Sequence, residues 1–243
     1  MDYSFLQCGE GALTVHLGDG IDPAINRRVT ALQGAIDSAG LRGITDLIPA
    51  YADLTVCYDC TVISAKALQR QLRRLLDSLS VAGQDRRRVF RLPVCYGGDY
   101  GPDLDFVCRH SGLSAQEVIE LHSAPDYLIY MLGFLPGFAY LGGLDPRLHT
   151  PRLDSPRTCI PAGSVGIGGA QTGVYPLASP GGWQLLGRTP VSVFDRQRQE
   201  PILYRAGDLV HFVPISPAEY EEIAQAVAAG TYTVQVEEVP VCD

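Results

Sequence analysis

Two arginines stand alone in a stretch otherwise free of charge. Between Asp154 and Asp195 the chain has no Asp, Glu, Lys or His, and Arg157 and Arg188 carry the only charge, with Arg152 just upstream. Guanidinium groups grip a carboxylate or phosphate through paired hydrogen bonds. Around them Ser164, Gln171, Thr172, Tyr175, Ser179 and Trp183 supply neutral hydrogen-bonding groups, of which Gln171, Thr172 and Tyr175 could orient a carbonyl or amide. Paired carboxylates for acid–base work are missing, and so is any His, Cys and carboxylate set able to hold a metal. Such an inventory suits binding a polar, anionic or carbonyl-bearing small molecule through Arg and backbone N–H groups. The expected substrate-binding residues are Arg157, Ser164, Gln171, Thr172, Gly173, Tyr175, Ser179, Gly182 and Arg188, with no metal ligand and no catalytic residue assigned. Phe134, Phe138 and Tyr140 serve either as an apolar wall or as core. For the arginines, the alternative is a surface salt bridge with Asp154 or Asp145.

Nucleophilic and nucleotide chemistry find little support. Ser164 lies in G-S-x-G, but Ala162 breaks the G-x-S-x-G elbow, and no histidine stands nearby to activate the hydroxyl. His149 is a lone loop histidine. No GxxxxGK[ST] exists and Lys66 is the only lysine, which excludes a P-loop. The glycines of Gly163 to Gly169 either turn backbone N–H groups toward an anion or serve as turns between strands. Cys57 and Cys60 form a single C-x-x-C without the second pair a zinc site needs or the strand-to-helix context of a redox pair.

The 243 residues allow one large or two small domains with filled cores. A net charge of −8 argues against nucleic acid or an anionic membrane as partner. Arg86 to Arg88 form the one basic run, read as a solvated edge. No apolar run is long enough to span a bilayer, and the N-terminus lacks the basic residue and apolar core of a signal peptide. Seven scattered cysteines fit reduced thiols. A cytoplasmic protein is expected.

The elements that must position these residues differ between the two parts of the chain. Residues 12 to 17 alternate as a strand; Asp22-Pro23 caps a helix running to Gly40; short strands follow near 44 to 49 and 53 to 58; Ser64 caps a leucine-bearing helix; and a strand is expected at 88 to 95. Strand, helix, strand, strand, helix, strand is the split β-α-β order of ferredoxin-like α+β domains, placed at residues 1 to 95. From 96 onward, Ser114 to Glu117 and Ser216 to Glu219 are capping boxes, and 127 to 132 is a buried strand. Residues 133 to 190 contain twelve Gly and eight Pro, which cost a helix about 1 and 3 kcal/mol each, so loops and short strands are expected. Strands near 158 to 160, 164 to 167, 172 to 175, 183 to 186, 191 to 194, 202 to 205 and 209 to 213 read as an antiparallel β-barrel over residues 96 to 243.

Four segments carry a family resemblance: GFLPGFAYLGG from Gly133 to Gly143, PRLDSPR from Pro151 to Arg157, IPAGSVGIGGAQTGVYP from Ile160 to Pro176, and SPGGWQLLGRTP from Ser179 to Pro190. In this order they resemble the family labelled allophanate hydrolase subunit 1, sensor-kinase inhibitor KipI, and the B subunit of bacterial 5-oxoprolinase. The resemblance implies a cyclophilin-like barrel behind the α+β domain. It makes Arg157 and Arg188 the better candidates as binding groups, and Arg152 less so. It implies a subunit inactive alone, in an ATP-dependent 5-oxoprolinase turning 5-oxo-L-proline into L-glutamate. ATP would be used at the level of the complex, and the partners would be chains like the C subunit (KipA-like, or like allophanate hydrolase subunit 2) and like the A subunit. Alternatives within the same resemblance are a non-enzymatic inhibitor of a sensor histidine kinase and a carboxyltransferase subunit of the urea or allophanate type.

Overall fold

The computed structural model describes residues 3–80 and 86–240; Cys242 lies outside them, as does the N-terminal Met1. The chain divides into two compact units, Met1–Asp85 and Arg86–Asp243. No helix among the described residues is long and apolar enough to cross a membrane.

The first unit contains β1 (Ser4–Cys8), β2 (Ala12–His16), α1 (Pro23–Ala39), β3 (Ile44–Pro49), β4 (Asp53–Tyr58) and α2 (Ala65–Asp77). The Asp22 side chain accepts the Ala24 N–H at 2.6 Å, Pro23 supplies the first helical residue, and Gly40 ends α1 in the left-handed region at φ 54°. Leu13, Val15, Leu54 and Val56 of the sheet pack against Val29, Leu32 and Ile36 of α1 and Leu68, Leu72 and Leu76 of α2. The split β-α-β order does not form. The strand expected at 88 to 95 is not in this sheet, whose order is β1-β2-β4-β3. Its place beside β2 belongs to β1, absent from the sequence expectation and paired from Ser4 opposite His16 to Cys8 opposite Ala12. The turn Gly9-Glu10-Gly11, with Gly9 at φ 65°, closes this hairpin within three residues, so pairing costs little chain entropy.

The second unit contains β5 (Arg86–Tyr96), α3 (Leu104–Ser111), α4 (Ala115–Ser123), β6 (Tyr127–Leu132), β7 (Ala139–Gly142), β8 (Arg157–Ile160), β9 (Ser164–Gly168), β10 (Gln171–Val174), β11 (Ser179–Gly181), β12 (Gln184–Arg188), β13 (Leu209–Ile215), α5 (Pro217–Ala228) and β14 (Gln235–Pro240). Seven strands close a barrel in the order β12-β9-β10-β7-β6-β13-β5, with β5 returning to β12. The long strand β5 therefore belongs here, not to the α+β part, and the division falls at 85/86 instead of 95/96. The reason is side-chain burial: Phe90, Leu92 and Val94 join the barrel core.

The barrel also departs from a purely antiparallel one. Strand β13 runs parallel to β5, from Leu209 opposite Val89 to Ile215 opposite Cys95. The other edge of β5 is divided between β14 and the end of β12. Strands expected at 191 to 194 and 202 to 205 reduce to a single bridge, Phe194 to Ile202, and β8 pairs with β11 in a separate two-stranded sheet.

The barrel interior is filled. Val165, Ile167, Leu141, Ile129, Leu186 and Phe212 occupy it with one polar chain among them. His122 Nε2 lies 2.7 Å from Thr172 Oγ1, which donates to the Gly166 carbonyl at 3.0 Å; His122 Nδ1 lies 2.8 Å from the Tyr96 hydroxyl. Because Thr172 spends its proton on Gly166, His122 donates from Nε2 and accepts from Tyr96 at Nδ1, the neutral tautomer. Complete burial pulls the His122 pKa down to about 3. The ring stacks on Phe212 at 4.9 Å.

Candidate functional site

The cavity lies on the outer face of the barrel wall. Along β9, Val165 and Ile167 point into the core, so Gly166 and Gly168 face outward by strand alternation. A Cβ on Gly168 would run into the Trp183 indole, and one on Gly181 would meet the Tyr175 hydroxyl at 2.6 Å. Missing side chains let large rings lie against the wall. Phe138, Ile160, Tyr175, Trp183 and Leu185 form a second core there. Phe138 meets Tyr140, Tyr175 and Trp183 edge-on, with centroids 5.1, 5.5 and 5.5 Å away.

In front of these rings is a cavity of about 330 Å³, whose walls include Phe134, Tyr140, Arg152, Tyr175, Gly182 and Trp183. That volume is at the small end of the range of about 300–1,000 Å³ for small-molecule sites. The Arg152 guanidinium lies over the Trp183 ring, 5.9 Å from its centroid. The cavity lining contains no acid, histidine or cysteine. Burial raises the Tyr175 phenol pKa, with the Trp183 main-chain N–H and the charges of Arg152 and Arg157 acting the other way. No group of His, Cys, Asp and Glu among the described residues could hold a metal. The arrangement can bind a compact molecule with an apolar face and an anionic group, and its lining holds no carboxylate, imidazole, thiol or amine, only the phenols of Tyr140 and Tyr175.

Of the nine residues expected to bind substrate, Tyr175 and Gly182 line this cavity, and Gly173 backs it, its absent Cβ leaving room for Trp183 and Phe138. Arg157 turns elsewhere. Its Nη2 donates to Asp103 Oδ1 at 2.7 Å and its Nη1 to the Trp183 carbonyl at 3.3 Å, while Asp103 Oδ2 accepts the Leu185 N–H at 2.7 Å. This clamp ties the start of α3 to β8 and β12. The carboxylate is not one of the two aspartates expected as alternatives. Thr172 belongs to the interior chain with His122. Ser164 and Arg188 are register partners, at the end of β12 away from Trp183 by about 15 Å. Ser164 is fully buried, and neither its Oγ nor the buried Arg188 Nε has a hydrogen-bond partner. Arg188 neighbours Tyr220, lowering a phenol pKa that burial raises. Ser179 is buried in β11 opposite Ile160, and Gln171 is half-buried at the start of β10. The charge facing the cavity is Arg152, the arginine the motifs favoured least. Its contact with Trp183 joins segments that only the fold brings together.

Residues 3–204 match the carboxyltransferase domain family, subdomains C and D. A 5-oxoprolinase B subunit of Bacillus subtilis (strain 168) is 42% identical over 228 residues, covering 90% of this chain and 95% of that protein. A 5-oxoprolinase B subunit of Escherichia coli O157:H7 is 47% identical over 208 residues, covering 85% and 93%. The crystal structure of the Kluyveromyces lactis urea carboxylase superposes with a TM-score of 0.79 at 23% identity, over 98% of this chain and 24% of that one, and shares the fold. With two relatives above 40% identity along nearly their whole lengths, this chain belongs to the family of 5-oxoprolinase B subunits.

Proposed function

We propose that this chain is the B subunit of a heteromeric 5-oxoprolinase, which opens 5-oxo-L-proline to L-glutamate with hydrolysis of ATP to ADP and phosphate, and that the Trp183 cavity is its share of the substrate site. The observation that carries the reading is the identity to 5-oxoprolinase B subunits over almost the full chain. The chemistry of the cavity agrees. A five-membered lactam presents a compact apolar ring, suited to Phe138, Tyr140 and Trp183, and a carboxylate, suited to Arg152. Opening the lactam needs activation of its carbonyl and a proton for the departing nitrogen, and the lining offers neither lysine, histidine nor carboxylate. Those groups and the nucleotide site then come from partners resembling the A and C subunits, and the isolated chain is inactive.

The test is 5-oxoproline-dependent ADP release by the purified chain, alone and with its partner subunits. Turnover is expected only in the complex, and Arg152→Ala should raise KM by about 10- to 100-fold, the worth of a charge-assisted hydrogen bond of about 1.5–3 kcal/mol. Turnover by the isolated chain, or an unchanged KM in the variant, would contradict the shared cavity.

A further inference from the structure

Phe134 is the one non-glycine residue among those described with a positive φ, 67°. It sits at the apex of the loop joining β6 to β7, where the Leu135 N–H donates to the Gly133 carbonyl at 2.8 Å. That is the positive-φ form of the γ-turn, a rare and strained conformation for an L-residue. The ring is 64% exposed although it lines the cavity mouth, and it touches Phe138 edge-on at 5.6 Å.

The base of this loop is held firmly. The Gly133 N–H donates to the Phe138 carbonyl at 3.1 Å, the Phe138 N–H to the Leu135 carbonyl at 2.9 Å, and the Tyr204 hydroxyl to the Gly137 carbonyl at 3.0 Å. A Cβ on Gly137 would come within 2.9 Å of Phe194 Cβ, so the chain is pinned there as well. Strain is thus placed at the apex, whose side chain stands in water as does that of Pro136 alone among its loop neighbours. A strained backbone and an exposed aromatic ring are both unfavourable, and both are relieved if the apex turns and lays the ring over the cavity.

We propose that Phe134 is a cover residue: its ring closes over the ligand held between Arg152 and Trp183 and slows its escape. The proposal rests on the reading of the cavity as a 5-oxoproline site, and deepens it by naming the residue that sets ligand retention. It places closure within this chain, whereas the rest of the chemistry comes from outside it.

Trp183 is the only tryptophan in the chain, so intrinsic fluorescence of the full-length protein reads the cavity directly. The probe is 5-oxo-L-proline, titrated into wild type, Phe134→Gly and Phe134→Ala, with stopped-flow dissociation. Glycine removes the ring and the strain together; alanine removes the ring alone. Saturable quenching in the wild type is expected, with affinity about tenfold weaker in both variants, the loss appearing in a faster off-rate. In the assembled enzyme KM should rise by more than kcat falls. A saturable wild type with unchanged affinity and off-rate in both variants overturns the cover and leaves the cavity assignment standing. A wild type that shows no saturable response overturns both. Loss of association between Phe134→Gly and its partner subunits, with ligand affinity intact, makes Phe134 an interface residue and also overturns the cover.

Discussion

Truncating Arg157 to alanine separates a structural arginine from a ligand-binding one. The variant strands Asp103, whose side chain is 12% exposed and loses a 2.7 Å ion pair with a guanidinium 28% exposed. Breaking a fully buried pair costs about 3–5 kcal/mol and an exposed one about 0–1. This pair lies between those limits, and Asp103 keeps the Leu185 N–H. A loss of about 2 kcal/mol follows. The 3.3 Å bond from Arg157 to the Trp183 carbonyl is long and adds little. For a chain of this size about 2 kcal/mol lowers Tm by about 4–8 °C. Thermal unfolding of Arg157→Ala, Asp103→Ala and the double variant should give a coupling energy of about 1–2 kcal/mol. Binding of 5-oxo-L-proline, read from Trp183 fluorescence, should persist in Arg157→Ala below its Tm. The reasoning is refuted if the variant melts within about 1 °C of wild type and no longer binds, for then the guanidinium faces the ligand and not Asp103.

Two further outcomes follow from the barrel. His122 is held neutral, with its pKa depressed from 6.5 to about 3, so its contribution is complete above pH 6.5 and is lost as pH falls toward 3, at about 1.4 kcal/mol per pH unit; denaturation from pH 7 to 4 should show one proton less of uptake in His122→Gln, and identical slopes would show that His122 does not titrate on unfolding. Gly168→Ala drives a methyl into the indole, so it should cost about 1–3 kcal/mol and red-shift Trp183 emission, whereas an unshifted spectrum at native stability would mean that the indole does not rest on β9.

Local signals were legible in the sequence where one short segment decides them. Asp22-Pro23, Ser114 to Glu117 and Ser216 to Glu219 cap the helices they start, because a cap needs only residues three apart. Strand β5 was legible as a strand but not as part of the barrel, since alternation shows which faces are apolar and not which sheet receives them. The parallel pairing of β13 with β5 has no sequence mark: Val210 and Phe212 share the buried face, with Leu209, His211 and Val213 on the other, in either orientation. For the site, the shortage of titratable groups was visible, yet which arginine faces the cavity was not. Arg157 is taken by Asp103, a residue far upstream whose role depends on α3 folding against β12, while Arg152 is left to lie over Trp183.

The position of the cavity follows from how the barrel is filled. With His122, Thr172, Phe212 and the aliphatic layers occupying the interior, no ligand can enter there without unpacking a core at near-crystal density. Strand β9 solves this by splitting its two faces: Val165 and Ile167 serve the core, while Gly166 and Gly168 leave the outer wall bare for Trp183 and its neighbours. A ligand bound on that wall has rings behind it and Arg152 at its side, both from this chain. Its remaining side faces outward, where Phe134 is exposed. A lining without carboxylate, imidazole or amine is then no defect under the proposed function but a consequence of geometry: the open side is where a partner subunit would bring those groups.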